Sequence, residues 1–388
     1  RAPHVDVVFG THNVGRATDL LGHARVSGPI TEIIEESESF PSALPVKRDA
    51  HHAAWVTIQI GCDNSCAFCI VPSVRGKEIS RPYNELISEV EQLAMAGVTE
   101  VTLLGQNVNS YGRDLTLKLR GTEVSAESSE LVGEAWVRGP HTARPLFSDL
   151  LSSVAEVTGI RRVRYTSPHP KDLRPETIDA MAQVPEVCEH LHLPLQSGSD
   201  NVLSAMHRGY TADRYIEKVD AARQQIPDLA LSTDIIVGFP GETDVDFERT
   251  LEVAAEVRFD NAYTFVYSPR PGTEAAELLQ RFVPAKISAE RMERLRRVIE
   301  RTSLKGNESR IGHEEEVIVE GQSKRDSEML TGRTRHNRLV HFPAQEKIRP
   351  GSYAQVRVTE ARTFNLVGEL LEVTAAAKHR TRIPVVSS

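Results

Sequence analysis

Three cysteines constrain this chain more than any other feature. Cys62, Cys66 and Cys69 lie within eight residues, in Gly61-Cys62-Asp63-Asn64-Ser65-Cys66-Ala67-Phe68-Cys69, with the spacing C-x3-C-x2-C. The loop follows a strand-like run, Val56-Thr57-Ile58-Gln59-Ile60. Any fold the chain adopts must bring three sulfurs to one place at the end of a strand. A secreted disulfide scaffold spreads an even number of cysteines along a short chain. This chain has four in 388 residues, and the fourth, Cys188, stands alone beside Val187 as a small buried hydrophobe. The cluster reads as a metal site in a reducing, cytoplasmic compartment.

Three thiolates on a four-iron cubane leave one iron open, and an open iron can chelate the amino and carboxylate groups of S-adenosylmethionine (SAM). Ordinary iron–sulfur clusters take four cysteines, and structural zinc takes four ligands. Zinc would need a fourth ligand here, and His51 and His52 lie awkwardly on the far side of the strand. A redox dithiol would need two cysteines. Phe68 can shield a cluster from solvent.

From Trp55 to about Lys286, strand-like and helix-like segments alternate. Strands are expected at Glu100–Leu104, Arg162–Tyr165, His190–Leu193, Leu231–Val237 and Asn261–Tyr267. Helices are expected around Leu86–Ala94 and at Phe147–Val157, Glu176–Met181, Ala212–Gln225 and Val245–Val257. Repeated βα units predict a parallel sheet with helices outside it. Functional residues then belong at the C-terminal strand ends. The polar stretch Leu115–Arg144 reads as an inserted surface loop. Ala289–Lys305 reads as a linking helix, and short strands at Glu316–Gly321, Leu339–Phe342, Ala354–Val358 and Asn365–Leu371 predict a small β-barrel. The chain starts at Arg1 and shows no leader, so the expectation is that it begins inside a longer protein. The divisions expected are a domain remnant at 1–30, a linker at 31–47, an α/β core at 48–287, a linking helix at 288–307, a β domain at 308–375 and a tail at 376–388.

Several strand ends carry candidate ligands. Gln106 follows one strand, in Gly105-Gln106-Asn107-Val108-Asn109, while Ser167 and Gln196 follow others. Gly238-Phe239-Pro240-Gly241-Glu242-Thr243 is either a plain βα turn or a close-approach turn for a ligand, since glycine lets backbone come near. His169 and His192 are candidate general bases or satisfied structural histidines. The net charge of −8 argues against binding nucleic acid over the whole surface. A local basic turn remains: Arg333, Arg335 and Arg338 flank His336, either as a phosphate contact or as a solvated turn. No apolar run reaches the ~18 residues a membrane span needs.

The cysteine spacing, with an aromatic at Phe68, resembles the radical SAM superfamily. Cys69-Ile70-Val71-Pro72-Ser73-Val74-Arg75-Gly76-Lys77-Glu78, Ser80-Arg81-Pro82 and Pro269-Arg270-Pro271-Gly272-Thr273 resemble its methylthiotransferases. Leu104–Tyr111 and the run from His192 to Gly209 resemble the branch that makes 2-methylthio-N6-dimethylallyladenosine in tRNA. The resemblance implies an α/β fold, a radical SAM partial (βα) barrel followed by a small RNA-binding TRAM barrel. It implies a [4Fe–4S] cluster with one open iron on Cys62, Cys66 and Cys69. It implies SAM contacts from Gln106, Ser167, Gln196 and the turn Gly238, Phe239, Pro240 and Gly241, and RNA contacts from Arg333, Arg335 and Arg338. The implied reaction uses one SAM to methylate a cluster-bound sulfur and a second to form a 5′-deoxyadenosyl radical, placing a methylthio group on C2 of the adenosine. C2 has no acidic proton, a physical reason to need a radical. Implied partners are tRNA, an electron donor such as a flavodoxin or ferredoxin and an unidentified sulfur donor, with no membrane and a monomeric state. The family's second [4Fe–4S] cluster sits on three cysteines of an N-terminal domain, and no cysteine precedes Cys62 here; full turnover is expected to need that domain. Other readings are a sister enzyme acting on a ribosomal-protein aspartate or on threonyl-carbamoyl adenosine, against which Gln106-Asn107-Val108-Asn109 discriminates, and a non-catalytic iron–sulfur RNA-binding protein.

Overall fold

The computed structural model describes residues 4–33, 50–343 and 348–377. Most of the expected linker (34–47) and the tail from 378 onward lie outside the described residues. Near the start, Val7–Phe9 pairs in parallel with Ile30–Glu32 across the helix Ala17–Ser27, so the first residues assigned to the linker form a strand instead.

Six parallel strands build the core: Ala53–Thr57, Glu100–Leu104, Arg162–Tyr165, His190–His192, Ala230–Val237 and Asn261–Val266. The first three pair in chain order, as do the last three, and a single bridge from Val163 to Val187, in the segment leading into the fourth strand, joins the two sets. Among the described residues the first and last strands do not pair, so the partial barrel is open along one side.

Alternation along the strands explains the layers. Val56, Val101, Leu103, Val163, Leu191, Leu231 and Ile235 point outward and pack in one core with the helices, for example with Leu86, Val90 and Leu93 of Tyr83–Met95. The opposite face carries Glu100, Arg164, His190, His192, Ser232 and Asp234, which line a cavity. A parallel sheet buried in apolar surroundings on both faces reads as a continuous hydrophobic run. Arg162-Val163-Arg164-Tyr165 and His190-Leu191-His192 instead alternate strictly, and the inner face of this barrel is polar.

The stretch Leu115–Arg144 is not an irregular loop. It holds the helices Arg113–Lys118, Ala126–Val132 and Glu134–Val137. Trp136 is 1% exposed, and its indole N–H donates to the Thr142 carbonyl at 2.9 Å. Helices of four to seven residues are too short to show a clear apolar period, which is why the sequence concealed them.

The helix Ala285–Glu308 leads to a closed five-stranded barrel of Glu314–Gln322, Met329–Thr334, Leu339–Pro343, Tyr353–Ala361 and Leu366–Ala375. Its interior is Val317, Val319, Val340, Phe342, Ala354, Val356, Val358 and Leu366. The strand Met329–Thr334 was not expected from sequence, and Arg333 lies on it rather than in a turn. Gly332 interrupts the apolar pattern there, because a Cβ at that position would come within 2.7 Å of the Val317 side chain. The barrel docks on the N-terminal ends of the core strands. Arg162 donates to the carbonyls of Arg333 and Glu316, both at 2.8 Å, and Arg164 to those of Thr334 and Arg335 at 2.7 and 2.9 Å.

Candidate active site

The C-terminal strand ends hold a cavity of about 200 Å³. Cys62, Cys66, Cys69, Gln106, Ser167 and Gln196 all line it, so the structure brings these sequence-expected residues together. Asn64, Phe68, His169, His192, Arg208 and Asp234 complete much of the wall. Ser167 and Gln196 adopt positive φ, at 60° and 65°. Non-glycine residues in that region carry strain of order 1–3 kcal/mol and concentrate at functional sites. Here the strain turns the chain across two strand ends.

The cysteine loop is anchored from two sides. The Ala67 N–H donates to the Met206 carbonyl at 3.1 Å, and the Ala67 carbonyl accepts from the Ala275 N–H at 2.9 Å. Ala67 and Phe68 pack with Val202, Met206 and Phe239, and the Phe68 and Phe239 rings meet edge to face. Through this contact the turn Gly238–Gly241 supports the cysteine loop. None of Gly238, Phe239, Pro240 and Gly241 lines the cavity itself. Gly238, at φ 73°, has no room for a side chain, since a Cβ would lie 2.3 Å from Ser288 Oγ. Behind it, the Gly238 N–H donates to the Glu242 carboxylate, which Arg291 holds at 2.7 Å in a buried pair.

Burial pushes the Cys62 thiol up to about 11. A bound metal reverses that preference, because coordination deprotonates a thiol outright. Among the described residues no three His, Cys, Asp or Glu side chains converge on a point suited to one metal ion. A cubane cluster needs no such convergence, since each thiolate takes its own iron. His51 and His52 line a different cavity and are not placed to complete a zinc site with the cysteines.

Two groups, one on the wall and one behind the cysteine loop, went unrecognised in the sequence. Arg208 is 6% exposed and donates to Cys66 Sγ at 3.3 Å and to the Tyr210 hydroxyl at 3.2 Å. Among the described residues no carboxylate pairs with it. A buried cation is costly unless an anion compensates it; thiolates and a ligand carboxylate are the anions this cavity can offer. Its only sequence signal was its place in the run from His192 to Gly209. Glu78 lies behind the loop: its backbone N–H donates to Asp63, and its carboxylate accepts from the Ser110 hydroxyl at 2.6 Å. Burial pushes its carboxyl up to about 7, with Asp63 and Asp114 adding to the effect against the Ser110 hydrogen bond.

His169 is held neutral. Burial, then Arg208, Lys171 and Lys218, pull it down to about 2. Its Nδ1 accepts from the Lys171 N–H, so Nε2 carries the proton, and Nε2 is buried with no partner in the protein. Gln196 Oε1 is likewise buried and unpaired. Buried polar atoms without partners are rare, and these two, a donor and an acceptor, lie at the same cavity. Asn107 and Asn109 serve structure instead. Asn107 donates to Asp172, and Asn109 exchanges hydrogen bonds with the His169 backbone, so Gln106 alone of that phrase reaches the cavity.

The arginines 333, 335 and 338 lie at the opposite end of the core. Arg333 pairs with Glu320, and Arg335 pairs with Glu189 and with the carbonyls of Pro185 and Val187. Arg338 pairs with Asp260 and Asn307. The contacts of Arg335 and Arg338 dock the barrel while Arg333 is paired within it, and a phosphate would have to compete with the carboxylates.

Comparison with known proteins agrees with this geometry. Residues 56–254 match the radical SAM superfamily and residues 308–371 match the TRAM domain. A tRNA-2-methylthio-N(6)-dimethylallyladenosine synthase 1 from Mycobacterium marinum is 46% identical over 376 residues, covering 95% of this chain and 68% of that one. Synthases of the same name from Streptomyces viridosporus and Thermobifida fusca are 47% and 46% identical, covering 95% of this chain and 69% and 70% of theirs. Among solved structures, coproporphyrinogen III oxidase from Escherichia coli, a radical SAM enzyme, aligns with a TM-score of 0.43 at 12% identity, over 79% of this chain and 67% of that one.

Proposed function

We propose a function from one premise: the chain belongs to the radical SAM superfamily and, within it, to the tRNA-2-methylthio-N(6)-dimethylallyladenosine synthases. It is a radical SAM methylthiotransferase that places a methylthio group on C2 of N6-dimethylallyladenosine in tRNA, next to the anticodon. The observation that carries this reading is the convergence of Cys62, Cys66 and Cys69 with Gln106, Ser167, Gln196 and Arg208 in one cavity at the strand ends. The family's cofactors are a [4Fe–4S] cluster and SAM; when bound, they supply a 5′-deoxyadenosyl radical able to act at an unactivated carbon.

The roles of individual residues are our assignment. Cys62, Cys66 and Cys69 would hold the iron–sulfur cluster, which when bound would supply the electron that cleaves SAM. Arg208 compensates the SAM carboxylate and the Cys66 sulfur. Gln196 Oε1 accepts from, and His169 Nε2 donates to, polar atoms of the bound molecule. Gln106 and Ser167 close the wall, while Gly238–Gly241 supports the adenine side through Phe239. The division into an α/β core at 48–287 and a TRAM domain at 308–375 is proposed on the same footing, as is a monomer in the cytoplasm reduced by a flavodoxin or ferredoxin. Among the described residues no helix is long and apolar enough to cross a membrane. Of the arginines, Arg333 is the most exposed and is our candidate phosphate contact, with Arg335 and Arg338 positioning the barrel beside it. Sulfur delivery, and the second cluster that serves it, we place outside this sequence, because its one further cysteine, Cys188, is buried.

The reading is tested by incubating the reconstituted protein with SAM, a reductant, a sulfur source and tRNA carrying N6-dimethylallyladenosine, then digesting the tRNA for mass spectrometry. The expected product is the 2-methylthio nucleoside, at no more than about one turnover from the added sulfur source, because sustained sulfur delivery lies outside this sequence. Its formation instead on threonyl-carbamoyl adenosine would favour the sister activity.

A further inference from the structure

A second cavity, of about 640 Å³, occupies the polar interior of the partial barrel. It shares Ser167, His192 and Asp234 with the cysteine cavity, so the two adjoin. Two large aromatic side chains stand on its wall, Trp55 on the first core strand and Tyr263 on the last, the two strands that flank the open side. They are 67% and 52% exposed, although each lines a cavity in the middle of the chain's largest fold unit. Among the described residues nothing covers them. Between them and the cysteines lies Asp234. Among the described residues its carboxylate accepts no hydrogen bond; its nearest partner is His192 Nε2 at 3.6 Å, while His192 Nδ1 is engaged with the Ser232 hydroxyl at 3.0 Å and its ring meets Tyr263 edge to face.

This combination of exposed aromatic faces, one free acceptor and a volume sufficient for a nucleoside has the chemistry of a pocket for an unstacked base. Single-stranded bases are recognised by stacking on aromatic rings and by hydrogen bonds to their edges. Resting on the function proposed above, we propose that Trp55, Tyr263 and Asp234 determine specificity for the N6-substituted adenine. The Asp234 carboxylate accepts the N6–H, and Trp55 and Tyr263 flank the apolar N6 substituent and the ring. A plain adenine keeps the N–H and loses the apolar contact, so the aromatic pair tells a prenylated base from an unmodified one. Apolar groups the size of a few methylenes give tenfold or greater discrimination in such pockets.

The test is a pair of dissociation constants measured by fluorescence anisotropy on the full chain, for an anticodon stem–loop RNA carrying N6-dimethylallyladenosine and for the same RNA with adenosine. The parent should bind the prenylated RNA about tenfold or more tightly than the plain one. Tyr263→Ala and Trp55→Ala should weaken both RNAs, the prenylated one more, and so bring that ratio towards one. Tyr263→Phe, which keeps the ring, should retain it. Asp234→Leu should weaken both RNAs, because both carry the N6–H. An unchanged ratio in both alanine variants, with the parent discriminating, would overturn the pocket assignment and leave the functional reading standing. A parent that binds neither RNA would overturn the functional reading and the pocket with it.

Discussion

Arg208 is the residue on which the site's electrostatics turn. It is buried, it touches Cys66, and no carboxylate of the described chain answers its charge. Hydrogen bonds to charged groups contribute about 1.5–3 kcal/mol, so Arg208→Gln should weaken SAM binding by roughly ten- to a hundredfold, as read by equilibrium dialysis. A structural role alone would lower the melting temperature and leave SAM affinity unchanged. Gly238→Ala tests the supporting turn. It forces a side chain into positive φ and against Ser288, and should cost more than ~1 kcal/mol in chemical denaturation. The cysteine loop was legible in the sequence because its spacing is local. Arg208 was not, because its meaning comes from a contact with a residue 142 positions away. The paired arginines at 333–338 show the converse: charge is visible in a sequence and its partners are not.

At the scale of elements, the strands were read well where alternation was strong. Glu100–Leu104, Arg162–Tyr165 and the helix Ala212–Gln225 fall where the pattern put them. The helices between Arg113 and Val137 escaped, since each is short and the segment is polar. Their packing is real: Trp136 and Val132 lie in the main core. Trp136→Ala should therefore cost about 3–5 kcal/mol and expose the segment to limited proteolysis, whereas a surface loop would tolerate the change. The polar inner face of the barrel was also legible in principle. Arg162-Val163-Arg164 and His190-Leu191-His192 alternate in a way that a sheet buried in apolar layers does not.

At the scale of the molecule, the TRAM barrel is fastened to the strand ends remote from the cysteines. One fastening is a cluster in which His336 lies 3.0 Å from Asp228 and 3.6 Å from Glu315, with Arg310 bridging the two carboxylates. Burial works to lower the His336 pKa, but its hydrogen bonds to Asp228 and Glu315 outweigh it and raise the value. A raised histidine contributes stability that is fully present below about pH 6.5, its unfolded value, and is lost as pH rises through the folded value. Thermal stability should thus decline above about pH 6.5, and His336→Gln should flatten that decline. Asp228, held down to about 2 first by its hydrogen bond to His336, has the opposite sign, and its contribution is lost only in strong acid. The docking of this barrel onto Arg162 and Arg164 had no trace in the sequence, because the acceptors of the two guanidiniums are backbone carbonyls, which carry no residue signature.

The central claim is that the three cysteines and the wall beside them cleave SAM. The most direct measurement reconstitutes the chain anaerobically with iron and sulfide, adds SAM and dithionite, and quantifies 5′-deoxyadenosine, with Cys62→Ala as the comparison. Product from the parent and none from Cys62→Ala is the predicted result. A fully loaded cluster that binds SAM yet yields no 5′-deoxyadenosine would contradict the account.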